Sequence, residues 1–265
     1  MSKNTGKKIK RIRVCKEKVV IYFFDKSKTE ISYDTYASFH LFPNRELSKE
    51  ELQEIENLNN MSVLLNKALN FLKKSVMTEQ QVRDKLYLKT KDRKKIEQVI
   101  KSLKNYDLIN DKAFIEDFLI YAEEKKMGQY RIVRELIKRG INEESARKIV
   151  FKQSDELQKA VGLLPALEKR YATKSFNEKK QKIFTYLLTH GFSSEVATKV
   201  VSKVQRNDQK ELDLLEKEFD LIYDKFSKTF EEKELFEKVV NSLRNKGYKY
   251  SDIKKKWEER FYGID

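Results

Sequence analysis

Cysteine is almost missing from this chain. One residue, Cys15, stands in 265, so no internal disulfide can form, which fits a reducing compartment. Only two prolines occur, which leaves long helices uninterrupted. No apolar run is long enough to cross a membrane. The basic start is not followed by an apolar stretch with a small-residue cleavage site, so no signal peptide is expected. A soluble, cytoplasmic monomer without membrane contact is the expectation. Histidine is scarce too: His40 and His190 have no partner at metal-ligand spacing, and a histidine in the last turn before Gly191 is favourable without any function. Phosphate loop, glycine-rich dinucleotide turn, nucleophile elbow and zinc pattern are all missing. These gaps predict a protein that is not an enzyme and takes no cofactor or metal.

What is present is charge. Lysine and arginine number 57 against 42 acids, a net of +15, which makes a polyanion or an acidic protein surface the expected partner. A charged fraction of 37% with a mean hydropathy of −0.73 fits disorder by composition alone. The periodic apolar residues argue instead for surface-rich helices.

The stretch 105–151 carries the clearest signals. Asn110 or Asp111 caps a helix with Phe114, Phe118, Leu119 and Ala122 on its apolar face. After a break at Met127-Gly128, a second helix buries Ile132, Val133 and Leu136 and stops at Gly140, the residue best able to take a left-handed C′ conformation. Asn142 then caps a third helix with Ala146, Ile149 and Val150 inward. The same grammar recurs. Stops at Thr90, Gly140, Gly191 and Gly247 are preceded at minus four by Leu86, Leu136, Leu187 and Leu243. At minus eight stand Val82, Ile132, Ile183 and Val239, and at plus six Ile96, Ala146, Ala197 and Ile253. Asp92, Asn142 and Ser193 are caps at plus two; Lys249 breaks that pattern. The stops lie 50, 51 and 56 residues apart, the period of a stacked helical array.

The first 30 residues differ, with ten basic residues against three acids. Val19 to Phe24 suits a strand, a turn follows at 25–28, and Thr29 to Tyr33 alternates. Ile9, Ile12 and Val14 suggest a third strand with a register irregularity between Ile9 and Ile12. A short helix is expected over 36–42, stopped by Pro43. Capping boxes stand at Ser48–Glu51 and Thr78–Gln81, and further caps at Ser175 and Thr229. Pro165 either kinks a helix or starts one. The predicted fold is mainly α: an elongated array of tandem three-helix repeats behind a small N-terminal antiparallel β module. The boundaries are 1–57 for the basic β-rich module, then repeats over 58–106, 107–154, 155–207 and 208–265.

Candidate contact residues fall in three groups. Lys7, Lys8, Lys10, Arg11 and Arg13 form the densest basic cluster, a solvated tail or a phosphate site. Arg131, Arg134 and Lys138 share one stripe of a helix, either a solvated face or a basic strip turned to a partner. Lys125 and Lys126 either contact a partner or simply suit a helix C-terminus. Tyr22, Phe23, Phe24 and Tyr33 can stack on bases, although such residues more often form the buried face of a sheet. Lys254, Lys255 and Lys256 flank Trp257, which falls at the core spacing.

Around the second repeat the chain resembles the RecX family of recombination regulators. The resembling residues are Leu108-Ile109-Asn110-Asp111, Phe114, Gly128-Gln129 and the run from Ile132 to Ile141, Ile-Val-Arg-Glu-Leu-Ile-Lys-Arg-Gly-Ile. Asn110, Asp107 and Gln129 depart from the family pattern, which has an acid, a glycine and a proline there. The basic β-rich start is similar to that of longer members from Gram-positive bacteria. The resemblance implies a non-enzymatic protein that binds the RecA recombinase filament along its groove. It implies restraint of ATP hydrolysis, strand exchange and coprotease activity, with accessory binding of single- or double-stranded DNA. A helix of about fifteen residues spans roughly 22 Å, so a stacked array is long enough to follow such a groove. Two other readings fit the residues alone: a sequence-independent nucleic-acid binder and a helical scaffold for another protein.

Overall fold

In a computed structural model, which describes residues 6–263, the chain is mainly helical with a small N-terminal antiparallel sheet. It divides into two compact units, Met1–Asp117 with Arg139–Ile141, and Phe118–Lys138 with Asn142–Asp265. Lys3 of the N-terminal basic run lies outside the described residues.

The first unit opens with β1 (Lys7–Val14), β2 (Val19–Phe23), β3 (Lys28–Ile31), α1 (Tyr33–Ser38) and β4 (Glu46–Leu47). The strands lie in the order β3-β2-β1-β4. Ile9, Val19, Ile21, Phe23 and Ile31 turn to one face and pack with Leu41, Leu47 and Ile55. Helix α1 starts earlier than its sequence predicts and ends before Phe39, because Ser32 accepts from the Thr35 amide and fixes the first turn. The long α2 (Lys49–Leu72) begins at the Ser48–Glu51 capping box and runs unbroken through residue 57. Its Ile55 belongs to the sheet's core, and Leu64 and Ala68 belong to that of α3 (Glu79–Tyr87) and α4 (Arg93–Asn105). Helix α5 (Asp111–Glu124) starts in this unit and continues into the second.

The second unit continues with α6 (Gln129–Lys138), α7 (Glu143–Arg147), α8 (Gln153–Val161), α9 (Leu164–Arg170), α10 (Phe176–Thr189) and α11 (Ser194–Val201). It closes with α12 (Asp208–Phe226), α13 (Glu232–Asn245) and α14 (Tyr250–Tyr262). Leu86, Leu136, Leu187 and Leu243 are each wholly buried, as are Ile96, Ala146, Ala197 and Ile253, so the repeat register read from the sequence is the packing register. Gly140, Gly191 and Gly247 take φ of +87°, +90° and +90°. Asp92, Asn142 and Ser193 accept from backbone amides as caps, and Lys249 makes no such bond. Pro165 sits in the first turn of α9, so it starts a helix and kinks none.

Some expectations are corrected. Helix α7 stops after Arg147, which leaves Val150 88% exposed where an inward side chain was expected. The cap of α13 is Glu231, not Thr229, and its side chain makes no capping bond. The stop before α6 is Lys126, left-handed at φ +50°, with Met127 donating back to the Ala122 carbonyl; Gly128 has another task.

That task is a joint between helices. A Cβ on Gly128 would lie 2.3 Å from the Gly191 carbonyl carbon and from the Phe192 nitrogen. The Gly128 and Tyr130 amides donate to the His190 and Gly191 carbonyls at 2.9 Å, so the start of α6 docks on the C-terminal turn of α10. The same joint recurs twice. Thr78 at the start of α3 donates its hydroxyl to the Arg139 carbonyl at 2.5 Å, beside Gly140. Ser175 at the start of α10 donates to the Lys246 carbonyl at 2.5 Å, beside Gly247. Each joint also draws a carboxylate from two helices further on to the first amide: Asp111 of α5 accepts from Glu79 of α3, Glu156 of α8 from Gln129 of α6, and Glu211 of α12 from Phe176 of α10. An anion there satisfies an orphan amide and complements the helix dipole.

Candidate functional site

The outer face of the sheet is built by a bulge. Strands β1 and β2 pair Ile9 with Phe23 and Arg11 with Tyr22, so Lys10 is the extra residue. Strict alternation puts residues three apart on opposite faces. The bulge shifts the frame by one and brings Lys8, Arg11 and Arg13 to the face opposite the core. All three are exposed, as is Lys10 at the bulge. Between them lie Tyr22 and Phe24 of the neighbouring strand; Phe24 is 55% exposed, and its amide donates to the Lys8 carbonyl. The Arg11 guanidinium stacks 4.2 Å from the centre of the Tyr22 ring, and the Lys8 ammonium lies 6.0 Å from that of Phe24. Lys28 of β3 pairs with Tyr22 across the strands. Acids lie on this face too: Glu46 of β4 stands opposite Lys8 across the strands, and Glu30 is held by Lys18 at 2.5 Å, a contact that lowers the carboxyl's pKa and raises the lysine's. Among the described residues, no carboxylate lies within ion-pairing distance of Lys8, Lys10, Arg11 or Arg13.

Lys7 does not join them. It turns to the other face, where its ammonium donates to the Ser27 hydroxyl and pairs with Asp25 at 3.2 Å. Asp25 is held down at a pKa of about 2, first by the Ser27 hydroxyl and amide and then by Lys7. Phe23 is buried in the core, and Tyr33 donates its hydroxyl to the Cys15 carbonyl. The four aromatic candidates therefore divide, with Tyr22 and Phe24 on the basic face.

In the second unit the stripe on α6 also divides. Arg134 and Lys138 are exposed, one turn apart, with no carboxylate in ion-pairing distance among the described residues. Arg131 is half-buried: its backbone and Cβ pack on Gly191 at the joint. His190, stacked on Tyr186 at 3.8 Å, has its pKa lowered by burial and then by the charge of Arg131. Beside Arg134 opens a groove of about 520 Å³, lined by Tyr130, Val133, Ile137, Arg147, Ile149 and Phe151. Ile149, half-buried beyond the end of α7, lines this groove. Lys125 is exposed near the Tyr121 ring, and Lys126, also exposed, donates to the Gly162 carbonyl at 3.0 Å.

The joint carboxylates escaped the sequence reading. Their offsets from the preceding stop are unequal, so the period hides them. Lys159, with its side chain 7% exposed, pairs with Glu123 at 2.8 Å and Glu156 at 3.2 Å. Burial opposes its charge, and these ion pairs outweigh burial and raise its pKa. Trp257 packs among Phe219, Tyr223, Phe236 and Phe261, as its spacing predicts. Among the described residues no group of acids, histidines and cysteine can hold a metal, and no helix is long and apolar enough to cross a membrane.

No family model matches the sequence. Individual relatives do. The chain is 30% identical over 247 residues to the regulatory protein RecX of Listeria welshimeri, covering 90% of each. It is 30% identical over 257 residues to the regulatory protein RecX of Streptococcus agalactiae, covering 92% of this chain and 97% of that one. Among solved structures, a crystal structure of regulatory protein RecX matches in fold with a TM-score of 0.60, at 23% identity, over 74% of this chain and all of that one. RecX from Lactobacillus salivarius gives 0.50 at 30% identity, over 55% of this chain and 97% of that one. Likeness along nearly the full length of both sequences, with the helical fold to match, leaves one conclusion: this chain belongs to the RecX family of regulatory proteins.

Proposed function

We propose that this chain regulates a RecA recombinase by binding its filament along the groove, and that it restrains ATP hydrolysis, strand exchange and coprotease activity. Membership of the RecX family carries the reading. An action of this kind needs no catalytic residue: occupying several protomers opposes addition at a growing filament end. The second unit supplies the contact through Arg134 and Lys138 on α6, beside the apolar groove that Tyr130, Val133 and Ile137 line. Unpaired cations next to exposed apolar surface suit an acidic protein face. The sheet supplies accessory DNA binding through Lys8, Lys10, Arg11 and Arg13.

The test is recombinase ATP turnover on saturating single-stranded DNA, with circular dichroism as the folding control. The intact chain should inhibit at or below equal ratios to recombinase. Changing Arg134 and Lys138 to Glu should weaken inhibition at least tenfold in concentration, or roughly 1.4 kcal/mol, with the helix kept, because Glu is also a good helix former. Full inhibition by the folded double variant moves the contact elsewhere. No inhibition by the parent chain ends the filament reading itself.

A further inference from the structure

We propose that the outer face of the N-terminal sheet is a stacking platform that prefers single-stranded over double-stranded DNA, with Phe24 and the Arg11–Tyr22 pair as its two stacking surfaces. This rests on the DNA-binding part of the function proposed above and names the ligand form and the residues.

A site that only neutralised phosphates would need cations alone. Here the cations ring aromatic surface that the fold leaves uncovered. Phe24 follows the last inward residue of β2, Phe23, and so turns outward at the strand's end, 55% exposed. Tyr22 stands two residues earlier on the same face, about 7 Å along the strand. It is capped by the guanidinium of Arg11 at 4.2 Å, whose outer plane is itself a surface on which a base can stack. Lys8, Lys10, Arg13 and Lys28 surround the pair within the same three strands. The Arg11 guanidinium sits over the Tyr22 ring, so it is held in place before any ligand arrives.

The preference follows from the geometry of bases. In a duplex the base faces are stacked on one another and closed to a flat protein surface, which then meets phosphates only. In a single strand the faces are open, and every base has one, so stacking is tolerant of sequence. The bulge at Lys10 is the device that makes the platform. Without it Lys8 and Arg11 would stand on opposite faces, and Phe24 and Tyr22 would have cations on one side only.

The experiment compares the full chain with Phe24→Leu and Phe24→Tyr, measuring affinity for a short oligothymidylate and for a hairpin duplex of equal charge. Phe24 is outside the core, so Leu keeps the fold, checked by thermal melting. The proposal expects Phe24→Leu to lose about 5- to 100-fold in affinity for the single strand, the worth of one base–aromatic contact. Duplex affinity should be unchanged and Phe24→Tyr near the parent. Equal losses on both probes, or no loss on the single strand, overturn the stacking platform and leave phosphate binding standing. Failure of the parent chain to bind either probe overturns the DNA-binding reading beneath it.

Discussion

Replacing Gly128 by alanine tests the joint between α6 and α10 at its tightest point. The added methyl would meet the Gly191 carbonyl carbon and the Phe192 nitrogen at 2.3 Å. Both are backbone atoms, which cannot rotate away as a side chain does. The start of α6 must therefore back off. Three hydrogen bonds go with it: Gly128 to His190, Tyr130 to Gly191, and Gln129 to Glu156, all at 2.9 Å. At about 1 kcal/mol for each neutral bond and about 1.5–3 for the charged one, the loss is about 3.5–5 kcal/mol. Alanine returns about 0.4–1 kcal/mol by restricting the unfolded chain, leaving a net cost of about 2.5–4.5 kcal/mol. For a unit of this size, that lowers the melting temperature by about 5–18 °C. The melt should be read with hydrogen exchange at the amides of residues 128 and 130, which must lose protection first. Gly162→Ala is the control: the nearest atom is the end of the long Lys126 side chain at 3.3 Å, with no backbone atom closer than 3.4 Å, and φ is ordinary. A Gly128→Ala chain as stable as the control, with both amides still protected, would refute the joint.

Burial raises the pKa of Glu211 against the opposing Phe176 amide bond. As pH rises from the ordinary glutamate range toward the raised folded value, the unfolded chain ionises first and the second unit loses stability, then levels off above it. Glu211→Gln should remove that slope in melts taken across acidic to neutral pH, and a slope that persists assigns it to another group. Changing Lys8, Arg11 and Arg13 together to Gln should shallow the log–log salt dependence of single-strand binding by about 2, measured by fluorescence titration. An unchanged slope removes these three cations from the DNA site.

Most of the helical architecture was legible in the sequence because glycine and leucine are constrained together at each stop. A left-handed glycine ends the helix, and four residues earlier the leucine must face the core; Leu136 and Leu187 are fully buried for that reason. The irregularity in β1 was legible as well, since Ile9 and Ile12 cannot both face inward without an extra residue. Other features were not. Lys7 and Lys8 are equivalent as charges, and only strand pairing shows that one turns to Asp25 and the other to Phe24. Arg131 shares a helix stripe with Arg134, yet the approach of Gly191 makes it half structural. Ile149 and Val150 carry the right period for a helix that stops too early to use them. The acids at the joints act across 27 to 35 residues, a range at which no local pattern is visible. Thr90 stands where the later stops have glycine. No helix start among the described residues docks on it, so the demand that selects glycine at Gly140, Gly191 and Gly247 is missing there.

The joints also set an order in time. The amide of Gly128 bonds to His190, 62 residues later in the chain, and the hydroxyls of Thr78 and Ser175 reach 61 and 71 residues ahead. On a ribosome adding about 5–20 residues per second, each such helix start waits about 3–15 s for its acceptor to be made. During that interval it faces water, or whatever else offers a carbonyl. A nascent chain halted between Gly128 and His190 therefore displays a helix start with its acceptor still unsynthesised, and the pace of translation through this interval governs how long that opening lasts.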